Sequence, residues 1–150
     1  DAVFKEVVDV TEETEQLLRK ADYYIHLLRQ ADRIVVACPM WTFSIPSILK
    51  AFFELVSSRL FYYYRLTIDD KPVACILARH GRYLPPQDGG PHWRPKYLNS
   101  QEPALISAFQ IMGIVKGLRF VSAEGLFLPE NRQIVIDKTK QELDILAEHF

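Results

Sequence analysis

The residues that most constrain this chain are Arg33-Ile-Val-Val-Ala-Cys-Pro-Met-Trp-Thr-Phe-Ser-Ile-Pro46. A run of small and β-branched apolar residues stops at Pro39 and gives way to an aromatic loop. A helix restarts near Ser47, and Ile48, Leu49, Phe52, Leu55 and Val56 mark its expected apolar side. A strand, a ligand-sized loop and a helix start therefore fit into fewer than thirty residues. In open α/β sheets ligands sit outside the carboxyl ends of the strands, so this loop is the first candidate for a site wall.

The rest of the chain extends that pattern. Thr11 or an Asp9–Glu12 capping box starts a helix over Glu12–Gln30, whose apolar positions Leu17, Leu18, Ala21, Tyr24, Ile25 and Leu28 recur at three and four. Residues 1–10, with Val3, Phe4, Val7 and Val8, give no assignable period. The helix from Ser47 is expected to end near Ser58, with Pro46 suited to its first turn. The following Leu60-Phe-Tyr-Tyr-Tyr-Arg-Leu66 has no helical face and reads as an extended or irregular segment. Val73–Ala78 is all apolar, as in a strand buried on both faces of a parallel sheet. Residues 79–99 read as a long loop, broken by five prolines and glycines at 85–91. Ser100 is the expected cap of a third helix, with Pro103 in its first turn and Gly113 at its end. Leu118–Ala123 reads as a third strand. A last helix over 131–149 should turn Ile134, Leu143, Leu146 and Ala147 inward.

Elements alternating in this way imply a parallel sheet with right-handed crossovers and helices on both faces. The 150 residues make one domain, and 49% hydrophobic content is enough for a core. Three strands are few for such a sheet, and the apolar strand at 33–38 reads as central rather than as an edge. A formal net charge of −1 gives no field suited to nucleic acid. No apolar run is long enough to span a membrane, and no signal-like start is visible, which points to a cytoplasmic protein. Cys38 and Cys75 lie in apolar strands, where a buried reduced thiol is the usual state. The histidines and cysteines show no metal-ligand spacing.

Pro39-Met-Trp-Thr-Phe-Ser-Ile-Pro-Ser-Ile-Leu-Lys-Ala-Phe52 resembles the motif of the FMN-dependent NADH:quinone and azo reductases of the flavodoxin-like fold. Three further blocks fit the same family in order: Leu77-Ala-Arg-His-Gly81, Gln101-Glu-Pro-Ala-Leu through Phe109-Gln-Ile-Met-Gly-Ile114, and Phe120-Val-Ser-Ala-Glu-Gly-Leu126. Trp41, Thr42 and His80 depart from the family's usual Tyr, Asn and Gly. The resemblance implies a three-layer α/β/α parallel sheet whose first two strands and phosphate-binding loop are absent from these residues. It implies FMN contacts at Pro39, Met40, Trp41, Thr42, Phe43, Ala78, Arg79, His80 and Gly81. Phe43, Tyr63, Tyr64 and Tyr83 become candidates for the substrate wall. Arg79, if turned inward, would favour an anionic reduced flavin, and Glu124 would order a strand-end turn. His80 and His92 are read as loop residues, Cys38 as no nucleophile. The implied partners are NAD(P)H, a quinone or azo substrate and a second copy of the chain in a homodimer. The implied reaction is hydride transfer by a ping-pong route, with no protein residue acting as a nucleophile. The alternative is a non-catalytic flavodoxin-like remnant or binding module that has lost its phosphate site.

Overall fold

A computed structural model describes residues 11–64, 67–83 and 96–150. The weak pattern at 1–10, Asp9, His92 and the proline- and glycine-rich centre of the long loop fall outside the described residues, as do the side chains of Tyr62, Tyr63 and Tyr64. The elements follow the order α1 (Glu12–Gln30), β1 (Ile34–Pro39), α2 (Ser47–Ser58), a π-helical turn (Arg59–Tyr64), β2 (Val73–Arg79), a 3-10 turn (Lys96–Leu98), α3 (Gln101–Ile111), β3 (Leu118–Glu124) and α4 (Pro129–His149).

The three strands form one parallel sheet in the order β1-β2-β3. Ile34 pairs with Val73, and Val73 with Leu118; at the other end Pro39 pairs with Ala78 and Arg79 with Glu124. Two successive right-handed crossovers in the same direction put α2 and α3 on one face. That face carries the core. Ile34, Cys38, Val73, Cys75 and Leu77 from the sheet pack with Ile25 of α1, Phe53 and Val56 of α2, and Leu105 and Phe109 of α3. The Phe53 and Phe109 rings meet edge-on, with centroids 5.3 Å apart, the geometry that the ring quadrupoles favour. The other face is thinner. There α4 packs along β3, while Val35 of β1 is 59% exposed. Among the described residues β1 is thus an edge strand with one open face, where its apolar run reads as central.

Local chemistry accounts for the element ends. The Thr11 hydroxyl accepts from the Thr14 amide at 3.2 Å and so caps α1. At the other end of α1 the Lys71 ammonium donates to the carbonyls of Leu28, Arg29 and Ala31. Gly113 ends α3 with a φ of +98°. Ser100 occupies the N-cap position of α3, yet its side chain makes no capping bond; its backbone carbonyl accepts from Ala104.

Several side chains face the other way from their expected positions. Ile48 is 79% exposed, whereas Val56 is buried as expected, Leu49 and Phe52 pack partly buried against the core, and Phe53 is buried as well. Leu17 lies outside the buried stripe of α1. In α4 no residue is fully buried, Ile134 is 67% exposed, Ala147 is exposed, and Leu143 and Leu146 are half-buried. A helix that rests on a single strand covers only a narrow stripe, so periodicity alone overstates its buried face.

The aromatic run is also helical rather than extended. No glycine or proline lies between Ser47 and Tyr64, so nothing stops α2. The helix widens into a π turn, a form that admits an extra residue without breaking the backbone ladder. Leu60 is buried while Phe61 faces outward. Arg59 in that turn makes two bonds of 2.8 Å to the Asp22 carboxylate, tying it to α1.

Candidate functional site

The carboxyl ends of β1 and β2 lie side by side, and the loops leaving them form one ledge. The Met40 amide donates to the Ala78 carbonyl at 2.9 Å, which extends the β1–β2 ladder one residue past Pro39. The chain then turns back on itself. Trp41 and Ser44 exchange both of their backbone hydrogen bonds, with Thr42 and Phe43 between them at φ 46° and 65°. Two consecutive left-handed residues define a type I′ turn. Its central N–H groups point away from the closed ring, and among the described residues those of Thr42 and Phe43 have no backbone acceptor.

The second loop, after β2, is similar. His80 and Gly81 donate to no backbone acceptor among the described residues, while their carbonyls accept from Phe127 at 3.3 Å and Gly125 at 3.0 Å. Among the described residues the amides of the two loops thus have no backbone acceptor, while the His80 and Gly81 carbonyls are turned inward to Phe127 and Gly125. Such a ledge suits a planar group with an acceptor-rich edge. Trp41 is 58% exposed beside it, Phe43 is also exposed, and Pro39 and Ala78 form the paired strand ends. The His80 ring packs against Phe127 at 5.0 Å between centroids.

Two expected site residues turn out to face inward. Arg79 has no exposed surface at all. Its Nε donates to Gln101 Oε1 at 2.9 Å, its Nη2 to Glu102 Oε1 at 2.6 Å, and its Nη1 to Glu124 Oε1. The guanidinium, fully buried among these three partners, does not open onto the ledge. Tyr83, expected at the substrate wall, is 6% exposed, with its ring 5.9 Å below the Arg79 guanidinium carbon. Glu124 does order the strand-end turn, because its second oxygen accepts from the Tyr83 amide at 3.0 Å. Tyr63 and Tyr64 have their backbone in the π turn, and their side chains lie outside the described residues.

Gln101 and Glu102 were not anticipated at the site. They open the block Gln101-Glu-Pro-Ala-Leu that fits the family, at the start of α3. Gln101 is completely buried, and its amide nitrogen donates to the Cys38 carbonyl at 3.3 Å. Burial pushes the Cys38 thiol above its ordinary value, against the Gln101 hydrogen bond and the Arg79 charge. The thiol is thus held protonated, as expected of a cysteine with no nucleophilic role. Among the described residues no group of histidines, cysteines and carboxylates could hold a metal ion.

The profile of the flavodoxin-like fold family matches residues 1–146. The chain belongs to that family. This flavodoxin-like chain is 33% identical over 143 residues to the FMN-dependent NADH:quinone oxidoreductase of Beijerinckia indica, covering 91% of the chain and 65% of that relative. It is 27% identical to FMN-dependent NADH:quinone oxidoreductase 2 of Hahella chejuensis, covering 96% of the chain and 71% of the relative. It thus spans about two thirds of the length of these relatives. Among solved structures it superposes on the azoreductase from Bacillus anthracis strain Sterne with a TM-score of 0.73 at 22% identity, over 95% of this chain and 68% of that one. An FMN-dependent NADH-azoreductase from Bacillus anthracis strain Ames Ancestor, solved in complex with FMN, gives 0.66 at 19% identity over 91% of this chain and 66% of that one. The flavodoxin-like layering of the sheet and its helices agrees with these neighbours. No described helix is long and apolar enough to cross a membrane.

Proposed function

We propose that this flavodoxin-like chain supplies the ring-edge wall of an FMN site in a cytoplasmic NAD(P)H-dependent reductase of quinones or azo compounds. The observation that carries the proposal is the double ledge of amides at Thr42–Phe43 and His80–Gly81, which have no backbone acceptor among the described residues. The pyrimidine edge of a flavin offers only acceptors and one N–H, so two loops of outward donors are the complement it needs. The names of the quinone oxidoreductase relatives support the same reading.

A bound FMN would supply hydride chemistry between a nicotinamide and a second substrate, for which a ping-pong order is natural. The chain's own residues orient and shelter. The I′ turn fixes two donors at the angle its dihedrals dictate. Gly81 lets the second loop approach without a side chain in the way. Trp41 and Phe43 offer flat apolar surface along the ledge and exclude water there. No side chain at the ledge needs to act as a nucleophile. The described residues account for a ring edge, and the contacts of the phosphate are not assigned to them.

A second copy of the chain is the expected partner. A groove of about 400 Å³ runs between α2 and α3, with Phe53, Ala104 and Ala108 in its floor and Phe61 and Ile111 on its rims. It meets a second hollow of about 360 Å³ that reaches Trp41 and Thr42. A partner seated in the groove would wall the ledge from the side.

Purified protein, loaded with FMN and freed of excess, should show the flavin absorbance bands and oxidise NADH when a quinone is added. Failure to retain FMN, or retention with no NADH oxidation in the presence of either a quinone or an azo dye, would rule the proposal out. Sedimentation equilibrium should show a dimer at micromolar concentration, and a monomer under those conditions removes the second copy from the proposal.

A further inference from the structure

We infer that Arg79 is a positioning residue that holds the two donor loops at one fixed separation, acting through Gln101, Glu102 and Glu124. The consequence for cofactor binding rests on the flavin reading above; the clamp itself rests on geometry alone.

Arg79 is the last residue of the central strand, so its side chain lies between the ends of both neighbours. The guanidinium presents three nitrogens in a rigid plane, and each has a separate partner. Nε holds Gln101, and Gln101 in turn donates to the Cys38 carbonyl at the end of β1. Nη1 holds Glu124, and Glu124 in turn closes the turn at Tyr83. Nη2 holds Glu102 in the first turn of α3, and Asn99 Nδ2 donates to the same carboxylate at 3.3 Å. Next to them the Ser100 amide donates to the Phe43 carbonyl at 2.9 Å, which ties the I′ turn to the start of α3. A single side chain therefore links the end of β1, the loop after β2, the end of β3 and the start of α3.

A cation with no exposed surface is costly to hold unless its partners are fully arranged. Here two carboxylates and an amide surround it, and the Tyr83 ring lies below. Lysine could not replace it. An ammonium is a compact point charge on a flexible stem and cannot reach three acceptors spread across a plane. The arrangement also keeps the charge off the ledge. An arginine that touched the ring would set the flavin's potential, whereas Arg79 sets only where the donors stand.

The test uses two variants of the full protein, Arg79→Lys and Gln101→Leu, the second leaving the charges in place should the first fail to fold. FMN affinity is read by fluorescence titration, the midpoint potential of the bound flavin by dye equilibration, and amide exchange by mass spectrometry without cofactor. Arg79→Lys should weaken FMN binding by about tenfold or more, since small misplacements at a site are costly; Gln101→Leu should weaken it less. In both variants exchange should accelerate in residues 40–44 and 80–83 and stay unchanged at Ile25 in α1. An unchanged affinity and unchanged exchange would overturn the inference, and so would a shifted potential with unchanged exchange, which would make Arg79 a direct contact. Should the wild-type protein bind no FMN, the cofactor reading fails while the exchange comparison still decides whether Arg79 is the clamp.

Discussion

Trp41 and Ser44 are joined by a reciprocal pair of backbone hydrogen bonds, at 2.9 and 3.0 Å, and this pair forces Thr42 and Phe43 into left-handed backbone. Threonine is branched at Cβ and resists that conformation, which Asn tolerates far better. Thr42→Asn should therefore stabilise the protein by about 0.5–1 kcal/mol, seen as a higher urea midpoint with an unchanged slope. A midpoint that stays put or falls would mean that the turn holds no strain.

Lys71 joins the turn before β2 to the end of α1. Its ammonium donates to Ala31 at 2.7 Å, Leu28 at 2.9 Å and Arg29 at 3.0 Å, three carbonyls at or beside the helix terminus. A cation there is favoured by the helix dipole as well as by the bonds. Lys71→Met keeps the stem and loses the charge, and should cost about 2 kcal/mol in urea denaturation. An equal midpoint in the two proteins would show that solvent satisfies the same carbonyls.

Gly117 precedes β3 where two backbones nearly touch. A Cβ built there would lie 2.2 Å from the Lys71 carbonyl oxygen and 3.0 Å from the Pro72 Cα. These are backbone atoms of the β2 approach, where the Val73 amide also donates to the Gly117 carbonyl at 2.9 Å. Gly117→Ala should destabilise by about 2–4 kcal/mol, as expected when packed backbone must shift. Thermal melts of the variant with an undisturbed midpoint would contradict this.

Cys75 lies in the middle of the central strand. Burial pushes its thiol from the ordinary value of 9.0 up to about 12, and the nearby Cys38 and Glu102 push in the same direction. Below 9.0 the thiol is protonated in both folded and unfolded chains and contributes no pH dependence. Between 9.0 and about 12 the unfolded chain releases the proton while the folded one keeps it, so stability falls as pH rises. The slope from this group approaches about 1.4 kcal/mol per pH unit. Cys75→Ala should remove that slope from urea midpoints measured across the alkaline range, and parallel curves for the two proteins would count against it. At neutral pH an alkylating reagent should leave both native cysteines untouched and modify them in urea.

The parts of the fold legible in the sequence were those with a local cause. The bounds of α1 and α2 follow from a three-and-four apolar period and from Pro46 and Ser58, and the structure reproduces them. The position of Pro39–Phe43 and Ala78–Gly81 at the carboxyl ends of β1 and β2 is legible because an apolar run ends at each. The π turn was not found, since an unbroken aromatic run has no period that separates a widened helix from an extended segment. The inward role of Arg79 was not found either. Its partners lie 22, 23 and 45 residues further along the chain, and only the packing of α3 and the register of β2 against β3 bring them together. Ile134 failed for a related reason: periodicity names an apolar stripe, but what packs on a helix decides how much of the stripe is covered.

The position of β2 between its neighbours has a consequence for how the sheet assembles. Side chains alternate along a strand, so a one-residue slip of β2 would swing Arg79 to the thin face and bring Ala78 toward Gln101 and Glu124. Such a slip would strand two carboxylates beside an alanine and carry the cation out of their reach to the exposed position of Ala78. Misaligned pairings of β2 are therefore penalised at both of its edges by the same side chain. The ion cluster at the strand ends acts as a proofreader of strand register, separately from anything it does for a ligand.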